Sequence, residues 1–157
     1  MNQEWENRIH SFWQSADEND VSATLTAIQD LIAELEPDDP RGLFELASAH
    51  DFLGLESEAI PLYEKALALG LDEFNRQKAI IQLASSLRNV GKPEEAIFWL
   101  ETEQFTEQFK LPAEAFLALA KFDAGIEPEK ASLSWLDTYP TDALFARSIK
   151  FYFESLP

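Results

Sequence analysis

The sequence predicts an all-α protein made of stacked helix pairs, and three observations lead to this prediction. A repeat with a period in the mid-thirties runs along the chain, apolar residues recur with helical spacing, and the alternating apolar and polar runs typical of β-strands are absent. A period of this length with two helical segments per unit is typical of arrays in which each helix pair buries its apolar face against the next.

Glycines mark the repeat. Gly54, Gly91 and Gly125 are separated by 37 and 34 residues, and each follows a Leu-Ala pair by a fixed distance. Each glycine also precedes an alanine and then, four residues later, a bulky apolar residue. The Leu-Ala pairs are Leu46-Ala47, Leu83-Ala84 and Leu117-Ala118, and the later positions are Ala59 and Tyr63, Ala96 and Leu100, and Ala131 and Trp135.

Capping signals define the individual helices. Asp39-Pro40 is typical of an N-cap followed by proline at the first helical position, Thr141 predicts a second N-cap, and Gly54, Gly70 and Gly91 predict helix ends. Pro61 predicts a late start or a slight bend in its helix. Nine helices are predicted, at 2–16, 20–35, 40–53, 56–69, 74–90, 93–105, 112–124, 127–138 and 142–155.

A length of 157 residues, 46% of them apolar, is sufficient for one domain with its own core. No linker rich in proline, serine or glycine interrupts the chain, so residues 1–157 are predicted to form a single helical-repeat domain. Its predicted parts are a divergent helix pair at 1–36, repeats at 40–73 and 77–108, a degenerate repeat at 111–138 and a capping helix at 141–157.

Charge and composition exclude several classes of function. The net charge of −17 is the wrong sign for binding nucleic acid or an anionic membrane surface, so neither is expected as a partner. No apolar run approaches the length of a membrane span and the N-terminal residues do not resemble a leader, so a cytoplasmic location is expected. The absence of cysteine excludes disulfides and thiolate metal sites.

The repeat resembles the tetratricopeptide repeat, and two stretches are similar to the group-5 tetratricopeptide family. In the first unit Gly54, Ala59, Tyr63 and Ala66 match the family outright. The family's tryptophan, Leu-Gly pair and tyrosine are replaced there by Leu43, Leu46-Ala47 and His50. The group-5 stretches are 44–71 and 76–100, with Gly70-Leu71, Arg76, Gln82-Leu83 and Leu87-Arg88. The resemblance implies a right-handed superhelix of antiparallel helix pairs and a protein-interaction scaffold.

Residues for catalysis or metal binding are few. His10 and His50 lie on different predicted helices, and His50 occupies a core position where a packed histidine with its hydrogen bonds satisfied is expected. Carboxylate pairs such as Glu94-Glu95 have no companion base, and phosphate-binding loops and nucleophile motifs are absent. We therefore expect no enzyme activity, no catalytic residue, no metal and no cofactor.

The resemblance implies that the first helix of each pair lines the inner, concave side of the array. The positions of these helices that the core stripe does not use are the candidate residues for binding a peptide or partner. They are Arg41, Phe44, Ser48, Asp51, Arg76, Lys78, Ile81, Gln82, Ser85, Arg88, Asn89, Leu119 and Phe122. An apolar groove with a few cations favours an acidic or C-terminal peptide segment.

Two alternatives stay open for this surface. Asp51 and Arg88 hold the same register in adjacent units, so they could pair and make Arg76, Gln82 and Arg88 structural instead. The residues that clamp chaperone C-termini in some family members are not matched, because Phe44 and Ser48 occupy the first two positions. Binding of a chaperone tail is therefore disfavoured.

The aromatic residues support a rival function. Most of the four tryptophans and twelve phenylalanines are expected in the core, Trp99 is expected to stay partly exposed, and Phe151 on the capping helix could form a dimer contact. The function predicted first is a non-catalytic, acidic adaptor that binds a protein or peptide partner. A self-associating structural protein is the alternative, and an enzyme accessory subunit ranks far behind both.

Overall fold

The computed structural model describes residues 3–127 and 133–157, and within them the protein is all-helical and contains no β-strand. The helices are α1 (Gln3–Ser15), α2 (Val21–Ile32), α3 (Pro40–Phe52), α4 (Glu56–Leu69), α5 (Glu73–Asn89), α6 (Pro93–Thr102), α7 (Glu107–Asp123) and α8 (Ala146–Glu154). A short 3-10 helix spans Leu136–Thr138. The predicted all-α class is confirmed.

The chain divides into two compact units, Met1–Ala79 and Ile80–Pro157, and the division falls inside α5. In unit 1, α1 packs on α2, α2 on α3, and α3 on α4. In unit 2, α7 packs on both α6 and α8.

The first core of unit 1 joins α1, α2 and α3. Its fully buried members are Trp5, Ile9, Phe12, Ile28 and Ala49. The indole Nε1 of Trp5 donates a hydrogen bond of 2.8 Å to the carbonyl oxygen of Leu31, so the polar edge of this buried ring is satisfied. The divergent N-terminal segment therefore forms a genuine helix pair with its own apolar contacts.

The α3–α4 pair shows why the repeat needs its signature residues. The Asp39 carboxylate caps α3 by accepting from the Arg41 backbone N–H at 2.9 Å, and Pro40 occupies the first helical position as predicted. Gly54, after the end of α3, has a φ of 74°, which a side chain would strain. Ala47 and Ala59 are fully buried, so small residues occur in the packed interior of this pair.

Unit 2 contains the C-terminal half of α5, where Leu83, Ala84 and Leu87 are fully buried. Ala96 and Leu100 on α6 are buried as well, which matches the positions that the repeat pattern assigned to them. On α7, Phe109 and Phe116 are large buried aromatic residues.

The start of α7 was predicted wrongly from sequence. α7 begins at Glu107 instead of near 112, so Pro112 lies inside it. A proline there removes one backbone hydrogen bond, but the additional turn allows Phe109 to be fully buried, which offsets that loss. Pro61 lies inside α4, which spans Glu56–Leu69 as predicted, so of the two effects expected of this proline the late start does not occur.

The C-terminal segment also differs from the prediction. α8 begins at Ala146 rather than at 142, and Thr141 does not cap it; the residue before α8 is Phe145, with a φ of 60°. Turns precede the helix, and the Tyr139 hydroxyl donates to the Leu144 carbonyl across them at 2.9 Å. Of the helix predicted at 127–138, the described part contains no α-helix, and Leu136–Thr138 form the short 3-10 helix. Residues 128–132, with Ala131, lie outside the described residues.

Candidate functional site

The thirteen predicted groove residues differ widely in exposure. Five are fully buried, six are half-buried and two are exposed. The buried ones are Phe44, Ser48, Ile81, Ser85 and Leu119; the half-buried ones are Arg41, Asp51, Arg76, Lys78, Gln82 and Arg88; the exposed ones are Asn89 and Phe122. The polar members therefore hold most of the surface that a partner could contact.

The cation at the start of α3 has carboxylate partners. The Arg41 guanidinium lies 2.7 Å from Asp39 and 3.9 Å from Glu6, and its side chain also stacks over the Trp5 ring at 5.6 Å. The hydrogen bond from Arg41 lowers the pKa of the Asp39 carboxyl. Arg41 therefore links the start of α3 to α1.

A second cation of unit 1 lies close to a buried carboxylate. The Lys78 Nζ lies 5.8 Å from the centre of the Phe44 ring, a cation–π contact between α5 and α3. Burial raises the pKa of the neighbouring Glu45 carboxyl, while a 2.7 Å hydrogen bond from the Trp13 indole and the positive charge of Lys78 act in the opposite direction. Positive charge on this face is therefore offset by Glu45.

The α3–α4 pair carries a buried polar contact. The Tyr63 hydroxyl donates to the Asp51 carboxylate at 3.2 Å, and burial raises the pKa of Tyr63 well above its ordinary value. Tyr63 therefore remains protonated, and Asp51 is held inside its own helix pair.

In unit 2, Arg88 is anchored on α7. Its Nε donates to the Asp123 carboxylate at 2.6 Å, and the Arg88 side chain is 9% exposed. The hypothesis that Arg88 pairs with Asp51 is wrong about the partner, because the carboxylate that Arg88 contacts belongs to Asp123. The buried Nη1 of Arg88 makes no hydrogen bond with any described residue.

Four residues of α5 and α7 surround the Tyr152 ring of α8, and we name them the Tyr152 cage: Ser85, Arg88, Asn89 and Phe116. The Arg88 guanidinium lies over the Tyr152 ring at 5.0 Å, and Phe116 meets the ring edge-on at 6.1 Å. The Tyr152 hydroxyl accepts from the Asn89 amide at 3.0 Å and contacts the Ser85 hydroxyl at 3.4 Å. Three predicted groove residues are thus in contact with the chain's own last helix.

Sequence reasoning missed Tyr152, Phe116 and Asp123 as parts of this site. The contacts of Asp123 and Tyr152 with α5 span 35 to 67 residues of chain, and Phe116 contacts Tyr152 itself. Helical periodicity does not predict which residues form such long-range pairs. It also gave the exposed aromatic position of α6 to Trp99, which is half-buried, whereas its neighbour Phe98 is exposed.

Among the described residues, neither histidine has the partners of a catalytic site. His10 is exposed on α1 and hydrogen-bonded to Gln14 at 3.1 Å. His50 is half-buried, and its Nδ1 has no hydrogen-bond partner among the described residues, so the expectation that it is fully satisfied is wrong. Burial lowers the pKa of His50.

Searches for two further kinds of site gave negative results over residues 3–127 and 133–157. No cluster of three or more histidine or acidic side chains there is arranged to hold a metal ion. No helix in the same ranges is both long and apolar enough to cross a membrane.

Paired helices with buried alanines and a glycine at the helix end define a helical-repeat protein. The family model described as a tetratrico peptide repeat matches residues 40–156, and the chain belongs to this family, in its group 5. Tetratricopeptide repeats are protein-interaction modules and are generally non-catalytic. A comparison with curated proteins found no match.

Proposed function

We propose that this chain is a non-catalytic adaptor that binds a segment of a partner protein along the inner face of α5. The observation that supports this proposal best is a polar stripe on that helix. Lys78, Gln82, Ser85 and Asn89 follow each other at spacings of four, three and four residues, so they share one helix face. The opposite face of the same helix holds Leu83 and Leu87 in the core.

Unpaired polar atoms on this stripe favour a binding role. The Gln82 Oε1 is buried and receives no hydrogen bond from any described residue. Buried polar groups are nearly always hydrogen-bonded, so each exception requires an explanation. A backbone N–H of a bound segment would supply the missing donor to Gln82.

The ion pairs that the groove cations already form indicate that an acidic partner would not be recognised by its negative charge alone. Arg41 and Arg88 already contact Asp39 and Asp123, and Lys78 lies near Glu45. An incoming acidic group would have to replace these carboxylates. We therefore expect apolar and hydrogen-bonding groups of the partner to decide affinity, with Lys78 contributing one ionic contact.

A Lys78→Glu variant tests this proposal. A phage-displayed peptide library is selected on the wild-type protein, and the peptides obtained are measured on each variant. Because Lys78 lies on the stripe, its reversal is expected to weaken binding of the selected peptides at least about tenfold. The melting temperature of each variant is measured as well, since the new carboxylate lies near Glu45.

Lys92→Glu provides the control, since Lys92 is exposed and precedes α6. Lys92→Glu changes the net charge by the same amount as Lys78→Glu, but at a position outside the stripe. It is expected to leave the affinity for the selected peptides unchanged. Equal affinities for wild type and Lys78→Glu, or an equal loss in both variants, would show that the stripe is not the binding surface.

Self-association is the second candidate function, and two exposed aromatic residues favour it. Phe98 on α6 is 64% exposed and Phe151 on α8 is 63% exposed. Large exposed aromatic side chains are typical of interfaces. Light scattering at micromolar concentration distinguishes a dimer from a monomer of 17.8 kDa. A cytoplasmic location and the absence of nucleic-acid or membrane partners stay predictions.

A further inference from the structure

The Tyr152 cage is built like a binding site, although its occupant belongs to the same chain. It combines a guanidinium over the ring, an aromatic edge at the ring and two polar groups at the hydroxyl. Such a combination distinguishes tyrosine from phenylalanine because only tyrosine carries the hydroxyl that the polar groups contact. Two cage members, Ser85 and Asn89, belong to the proposed binding stripe of α5.

The helix that supplies Tyr152 is weakly anchored. α8 has nine residues, fewer than an isolated helix needs to be stable in water, and Ile149 is its one fully buried residue. Phe145 precedes the helix in a left-handed conformation with a φ of 60° and provides no side-chain cap. A bulky residue in this conformation stores strain that opening of α8 would release.

The surface under α8, by contrast, is suited to a ligand. Phe116 is 2% exposed and contacts both Phe145 and Tyr152 from the C-terminal segment. The Arg88 Nη1 has no hydrogen-bond partner among the described residues, so the cage retains one unused donor. Removal of α8 would therefore expose an aromatic ring and a buried cation together.

We propose that α8 is an intramolecular occupant of the partner site and that the partner is an amphipathic helix which places a tyrosine in the Tyr152 cage. This inference rests on the proposed function, since it assigns a partner class to the C-terminal part of the α5 stripe. The incoming helix displaces α8 and reproduces the contacts of its tyrosine. The free protein is consequently closed on this face, and binding is coupled to opening of α8.

A labelled peptide of residues 145–157 serves as the probe, because it carries the proposed recognition features. Its affinity for the full-length protein is measured by fluorescence anisotropy. The Tyr152→Ala variant, which has lost its own occupant of the cage, is expected to bind the peptide at least about tenfold more tightly than the wild type. Lys150→Ala is the control, because the Lys150 side chain is 73% exposed on the same helix and its charge lies near Glu154 rather than Tyr152, and it is expected to behave like the wild type.

A second peptide, with phenylalanine at the position of Tyr152, tests the cage itself. Loss of the hydroxyl contacts with Asn89 and Ser85 is expected to weaken its binding to the Tyr152→Ala protein about tenfold. Full-length Tyr152→Phe, a conservative change, is expected to give a peptide affinity between those of wild type and Tyr152→Ala. It keeps the test valid if Tyr152→Ala fails to fold.

Several results would overturn the proposal. The first is that the peptide binds wild type and Tyr152→Ala with equal affinity. The second is that the tyrosine and phenylalanine peptides bind the Tyr152→Ala protein equally well. The third is that two copies exchange their α8 helices, which light scattering would detect as a dimer. The library peptides separate the two proposals. If they require Lys78 but bind wild type and Tyr152→Ala equally, the adaptor function stands and the role of α8 fails; if none requires Lys78 while the α8 peptide behaves as expected, the reverse holds.

Discussion

At the scale of single residues, Arg88 shows how a buried charge is tolerated. Its side chain is 9% exposed, one nitrogen bonds Asp123, and the guanidinium stacks on Tyr152. Removal of one partner from such a pair is more damaging than removal of both, because it leaves an uncompensated buried charge. The pair connects the end of α5 to the end of α7 inside unit 2.

Asp123→Asn is expected to lower the free energy of unfolding by about 1–3 kcal/mol, because Arg88 keeps its charge and loses its counter-ion. The Arg88→Met/Asp123→Asn double variant is expected to recover part of this loss, with a coupling energy of about 0.5–3 kcal/mol. Urea denaturation of the two single variants and the double variant measures that coupling.

Lys92 and Glu95 form the control pair. Each side chain is 55% exposed and their charged atoms are 3.6 Å apart, so the same cycle on this pair is expected to give about 0–1 kcal/mol. Additive losses for Arg88 and Asp123, no larger than those of the control, would contradict a structural role for the Arg88 pair.

The burial of individual residues could be predicted from sequence at the positions that the repeat pattern assigns to contacts between helices. The pattern placed Ala47, Ala84 and Tyr63 at contact positions, and all three are fully buried. It could not find the partner of Arg88, because a register argument compares equivalent positions and Asp123 is not equivalent to Asp51. Nor could it show that Arg41 and Arg88 are already paired with carboxylates.

At the scale of elements, helix ends were predictable where a cap determines them. α3 begins at Pro40 after its Asp39 cap, as predicted, because that signal is local. The beginnings of α7 and α8 carry no such cap signal: α7 starts at Glu107 with Phe109 fully buried, and a local hydrogen bond from Tyr139 to Leu144 lies just before α8. The local preferences of proline and threonine do not predict either feature.

Leu83→Ala tests the buried register of α5. Leu83 is fully buried near the middle of the helix, so its truncation is expected to lower the free energy of unfolding by about 2–5 kcal/mol. Leu69→Ala makes the same change on α4 at a leucine that is 51% exposed, and its effect is expected to stay within about 0.5 kcal/mol.

Urea denaturation of both variants measures the difference. Losses of similar size would mean that the repeat register assigned to Leu83 is incorrect. A change in the slope of the transition, rather than in its midpoint, would show that the substitution alters the compactness of the unfolded or native state or breaks two-state unfolding.

At the scale of the whole molecule, the all-α class could be predicted from sequence because the repeat pattern occurs several times along the chain. The family match over residues 40–156 is consistent with this. The candidate site was less accessible. Helical spacing assigned both Phe44 and Lys78 to the binding face. In the structure Phe44 is buried and Lys78 is half-buried. The exposure of a residue depends on which other elements pack against its helix face, as α8 does. Helical periodicity does not predict this packing.

Net charge is the property of the whole chain that most directly affects its stability. The sequence has 29 acidic and 12 basic side chains, so even complete pairing would leave 17 carboxylates without a cation. Their mutual repulsion disfavours the compact state, and salt screens it. The Debye length falls from about 30 Å at 0.01 M to about 8 Å at 0.15 M ionic strength, which is short against the spacing of most surface charges.

We therefore expect the melting temperature at pH 7 to rise with sodium chloride over this range, by about 2–4 °C for each kcal/mol of repulsion removed. Screening also weakens exposed ion pairs such as that of Lys110 with Glu107, but each contributes only about 0–1 kcal/mol. The excess of unpaired carboxylates should therefore dominate. Potassium chloride should give the same rise if screening is the cause. A melting temperature that falls with salt would show instead that the ion pairs outweigh the repulsion of the seventeen excess negative charges.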